Sequence, residues 1–170
     1  MSAIQTNPVT TEKEVFIKMA LSNWETQNKR LNDLLAKLSD EQLSAETAPG
    51  RNTGVYLLGH LAAIHDTMMT ILGFNERVNP AMDEIFIHNP DKSGLAKPSA
   101  AELRKYLDEV NAALEKHISS MPADEWFMRH NSVSEEDFAK EPHRNKLNII
   151  INRSNHLAYH LGQMAYLQKK

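Results

Sequence analysis

The chain has 170 residues, 41% hydrophobic and 24% charged, with 19 basic against 22 acidic side chains for a formal charge of −3. That size and composition suit one folded domain over residues 1–170 and exclude a disordered chain; the scattered basic residues argue against a nucleic-acid partner. Cysteine is absent, which excludes disulfides, thiolate zinc sites and a cysteine nucleophile, so any metal must be held by nitrogen and oxygen ligands.

The first helix is predicted from about Glu12 to Leu38. Pro8 lies just upstream, Thr11 and Glu14 have capping-box spacing, and Phe16, Met19, Ala20, Trp24, Leu31, Leu34, Leu35 and Leu38 recur at intervals of three and four. A short piece near Asp40–Leu43 follows, and Ala48-Pro49-Gly50 breaks the chain. The second helix should begin at Asn52 or Thr53 and end near Gly73. Its apolar runs, VYLLGHLAAI and TMMTIL, predict burial on most sides.

Residues 75–98 carry prolines and turn signals and read as a long connection. Ser99 and Glu102 repeat the capping box for a third helix to about Ser119, with Leu103, Leu107, Val110, Leu114 and Ile118 as its stripe. A short turn near Ala123–Phe127 and an irregular stretch over 128–143 precede the last helix, Asn145 to about Gln168. Lys169 and Lys170 suit its negative end. No segment alternates like a strand, so the expected fold is all-α, a four-helix bundle with long crossover connections. No apolar run approaches the ~18 residues of a membrane helix. The polar opening, Met1–Val15, has no signal-peptide core, so a cytoplasmic protein without a membrane partner is expected.

Chemistry concentrates in the eight histidines. His156 and His160 stand one turn apart, ~40° around the helix, so both imidazoles can reach one ion. The spacing matches that of the H-E-x-x-H motif without its glutamate. Two semi-buried histidines would give the same pattern, but this helix is apolar, where unpaired imidazoles are costly. A third ligand can come from the second helix, where His60 and His65 compete. Five residues and ~140° separate them, so they cannot share an ion, and apolar neighbours around both leave the choice open. His88, His117, His130 and His143 are expected to be solvated. Asp66, Asp83 and Glu84 are candidate general bases, none favoured by spacing.

The Leu57-Leu58-Gly59-His60-Leu61-Ala62 run, with its Asn52-Thr53-Gly54-Val55-Tyr56 opening, and the His156-x-x-x-His160-x-Gly162-Gln163 run resemble the DinB superfamily over roughly residues 12–168. That superfamily includes YfiT-like metal-dependent hydrolases and bacillithiol- or mycothiol-dependent S-transferases. The resemblance implies that His60, rather than His65, joins His156 and His160 in a three-histidine site for Zn²⁺ or Ni²⁺. It also implies a small-molecule substrate, a low-molecular-weight thiol as co-substrate in the transferase branch, and a homodimer. Gly162 is expected to admit a neighbouring helix. Three neutral imidazoles leave a position open for water or substrate, as in catalytic zinc sites. The competing reading is a non-catalytic module that binds a metal or small ligand.

Overall fold

The computed structural model describes residues 11–74 and 76–168; Pro8, Lys169 and Lys170 lie outside them. Four long helices carry the fold: α1 (Glu12–Leu35), α3 (Gly54–Ile71), α5 (Ala100–Ile118) and α7 (Lys146–Met164). Short helices α2 (Asp40–Ser44), α4 (Met82–Phe86) and α6 (Glu135–Lys140) lie in the connections, and 3₁₀ turns occupy Ala123–Phe127 and Ala165–Leu167. No strand forms among the described residues; the bundle is all-α, as expected.

Local chemistry sets the helix ends. Thr11 with Glu14 and Ser99 with Glu102 close the reciprocal capping boxes, Thr53 caps α3 and Asn145 caps α7. At the end of α3, Gly73 takes φ 89°. This turn lets the Phe74 and Gly73 amides return to the carbonyls of Met69 and Thr70, a Schellman closure that other residues adopt only with strain.

The long helices pack as two pairs, α3 against α5 and α1 against α7, joined where α3 meets α7. The α3 helix lies at the centre, with Leu57, Leu58, Leu61, Ala62, Ala63 and Met68 almost wholly buried. Its apolar character is therefore spent inside the bundle. On α1 the buried register is Ile17, Ala20, Trp24, Leu31, Leu34 and Leu35. Phe16 and Met19, expected in that stripe, stand 58% and 63% exposed, because Ile17 takes the inward position one step away.

The connection from α3 to α5 is tied down at both ends. Asp66, fully buried, accepts hydrogen bonds from the Val78 and Asn79 amides and the Tyr106 hydroxyl, and Arg77 forks onto Asp83. At the other end Asp91 accepts from the Thr53 amide and pairs with Lys97, while the Tyr56 hydroxyl donates to the Asn89 carbonyl. Between these anchors, α4 presents its last residues to α3.

Candidate metal centre

His60 comes from the middle of α3, His156 and His160 from successive turns of α7, and the three half-buried imidazoles meet at the junction of the two helix pairs. Nε2 of His156 lies 3.2 Å from Nε2 of His60 and 3.1 Å from Nε2 of His160. Tetrahedral zinc, with Zn–N bonds of about 2.0–2.1 Å, holds neighbouring nitrogens about 3.3 Å apart. The ring planes are steeply inclined to one another, at 60–84°, with centroid separations of 4.5–5.1 Å.

The outward nitrogens fix the tautomers. Nδ1 of His60 sits 2.7 Å from the Phe86 carbonyl oxygen, which can only accept, so Nδ1 carries the proton and Nε2 keeps its lone pair. Nδ1 of His160 likewise donates to Oε1 of Gln163 at 2.7 Å, and the Gln163 amide in turn donates to the Tyr159 hydroxyl. Nδ1 of His156 is buried without a partner among the described residues. At most one N–H is thus available to three converging nitrogens, two of which are bare lone pairs. A cation at their centre would satisfy all three, and this arrangement of acceptors behind imidazole ligands is the usual support of a metal site.

Burial keeps the three rings neutral. His156 is pushed down to about 3, first by loss of solvent and then by the positive charges that His160, His60 and Arg153 would add. His60 and His160 are lowered by burial too, against the opposing pull of their bonds to Phe86 and Gln163. Neutral imidazole is the form that binds metal.

His65 does not reach this cluster. It is fully buried one and a half turns further along α3, with Nδ1 on Oδ1 of Asn111 at 2.9 Å and its ring 4.6 Å from that of Trp24. None of the candidate general bases reaches the histidines through a contact among the described residues. Asp66 and Asp83 are engaged in the crossover, and Glu84 holds the Asn89 amide. His130, expected in solvent, is buried and accepts from the Ser132 amide, and His117 stacks on Phe74; His88 and His143 are exposed. No neighbouring helix approaches Gly162, since a Cβ there would meet nothing within 4 Å; instead it lines an open cavity of about 500 Å³ with Arg51, Tyr159, Gln163 and Tyr166. Two participants escaped the sequence reading. The Phe86 carbonyl is a backbone atom with no sequence signal, whereas Arg153 could have been noticed by its spacing of three and seven residues from the α7 histidines.

The comparisons agree with this architecture. A family model described as the DinB superfamily matches residues 23–164. A crystal structure of a conserved protein from Enterococcus faecalis superimposes with a TM-score of 0.62 at 14% identity, covering 95% of this chain and 96% of that one, a likeness of fold. No curated protein matches the sequence.

Proposed function

Since the chain belongs to the DinB superfamily, we propose that His60, His156 and His160 hold one divalent ion, zinc or nickel, and that this centre serves a metal-dependent reaction on a small molecule, of the thiol S-transfer or hydrolysis type. The reading is carried by one observation: three imidazole nitrogens converge at metal-ligand spacing while the Phe86 carbonyl and Gln163 hold two of them in the ligating tautomer. Held by three neutral nitrogens, a divalent ion supplies Lewis-acid chemistry and lowers the pKa of the water or thiol that reaches it. The protein's part is to keep the imidazoles neutral, aim them, and offer no fourth side-chain ligand among the described residues. With no cysteine in the chain, a thiol nucleophile would come from a small co-substrate.

The homodimer belongs to the same proposal. With the apolar face of α3 used internally, the exposed α1 residues Val15, Phe16 and Met19 are the surface that would form it.

The test is metal analysis of protein purified without a metal-affinity tag, followed by calorimetric titration of Zn²⁺ and Ni²⁺ into wild type and the three single His→Ala variants. One ion per chain, with affinity lowered by orders of magnitude in each variant, is expected. Equal affinity in wild type and His60→Ala would reduce the centre to a surface pair on α7. A competent ion that activates no thiol or ester transfer across a substrate panel would favour the non-catalytic module.

A further inference from the structure

Arg153 lies one turn before His156 on α7 and two before His160. At ~100° per residue it points within ~20° of His160 and ~60° of His156, so the three share a face. Its side chain is half-buried, and its Nε is shielded from solvent without a hydrogen-bond partner. Burial pulls its pKa down, and no carboxylate among the described residues opposes that. Other partly buried arginines have a partner for the guanidinium: Arg77, whose Nε also lacks a hydrogen bond but lies 3.4 Å from an Asp66 oxygen, forks onto Asp83, Arg104 caps the Leu35 and Leu38 carbonyls, Arg129 donates to the Val133 carbonyl, and Arg144 pairs with Glu141. The positive charge of Arg153 is close enough to be felt at His60, His65, His130 and His156.

A half-buried guanidinium with its Nε shut off from water and no counterion among the described residues is costly, and burial of this kind is normally compensated by a partner. The two buried acids, Asp66 and Asp91, are already committed to the crossover connection. With a divalent ion on three neutral ligands, the positive charges of ion and arginine add, and no carboxylate ligand offsets them. We propose that Arg153 is a substrate-binding residue that makes this centre selective for small organic carboxylates. The substrate sets a donor atom at the histidine cluster while its carboxylate lies in the guanidinium fork, whose planar pair of N–H donors matches that group. The inference rests on the metal reading above and narrows its substrate class.

The experiment uses the full chain loaded with Co²⁺, whose visible spectrum reports ligand entry. Stoichiometry is established first by titration of Co²⁺ alone. The probes are ω-mercaptocarboxylates of increasing chain length, each beside its primary amide, with wild type, Arg153→Met and Arg153→Lys. In wild type, at least one carboxylate should bind roughly ten- to a hundredfold more tightly than its amide, the range for a charge-assisted contact. The preference should vanish in Arg153→Met and return in part in Arg153→Lys, with metal content and melting temperature held. A preference equal in all three proteins would be chelation by the probe and would overturn the assignment, as would a wild type without preference. A melting temperature lowered by more than ~4 °C in apo Arg153→Met would instead assign the arginine to the fold and overturn it. Absence of Co²⁺ uptake by wild type would remove the metal reading itself, a failure distinct from the others.

Discussion

The carbonyl oxygen of Phe86 receives the Nδ1 proton of His60 across 2.7 Å, joining the crossover connection to the histidine cluster through one backbone atom. The same phenylalanine packs its fully buried ring over Gly59, where a Cβ would overlap the ring. Glycine is required at this position by the close approach, not by backbone angle.

Gly59→Ala should therefore do two things at once. Overpacking costs about 1–3 kcal/mol, and displacement of Phe86 withdraws the carbonyl from His60. Thermal melts and metal titration on the same preparation check this, with both stability and affinity expected to fall. A stable variant with wild-type affinity would show that α4 does not support the site.

Gln163→Leu removes the acceptor that holds the His160 tautomer. Loss of such an outer hydrogen bond typically lowers metal affinity about 10–100-fold, and Gln163→Glu, which keeps an acceptor, should retain it. Competition titration against a chelator reads the difference.

The pH dependence has a determined sign. His60, His156 and His160 have folded-state values below the ordinary 6.5, and His65 is pushed down to about 4 by burial. Below 6.5 the unfolded chain then binds more protons than the folded one, so the stability linked to these groups is complete above 6.5 and is lost as pH falls through the lower folded values. Proton competition with metal must start below 6.5 for the same reason. Melts and calorimetry across an acid series measure both; a loss of metal affinity already complete at 6.5 would contradict it.

His65→Ala should cost about 2–4 kcal/mol as a buried large-to-small change, while stoichiometric metal is retained. The opposite pattern, an intact fold without metal, would make His65 the ligand.

Light scattering at micromolar concentration should give twice 19.3 kDa, and Phe16→Glu should return the chain to that monomer mass. A wild-type monomer would remove the α1 face as an interface.

The four long helices were legible because capping boxes and a three-to-four spacing repeat over several turns, as in Leu103, Leu107, Val110 and Leu114. The one-turn helices α4 and α6 were not, since five or six residues hold too little periodicity to distinguish from a polar loop. Phe16 misled because its neighbour Ile17 fits the same stripe. His156 and His160 were readable from their spacing, but the choice between His60 and His65 was not. Apolar residues flank both, and what separates them is the partner each meets: the Phe86 carbonyl and the α7 imidazoles for one, Asn111 and Trp24 for the other.

His60 and His156 are 96 positions apart in the chain. An ion bridging them would act as a reversible staple in a protein that has no cysteine to make a permanent one. Because the unfolded chain has no preformed site, the ion would stabilise the fold by linkage, the more so the tighter it binds, so loading the site should raise the melting temperature as well as prepare it for chemistry. The staple also sets an order of assembly during synthesis. His60 and the α7 pair come together only once α7 has been made and docked, so a three-nitrogen site can be completed only after the joining of the early and late parts of the chain.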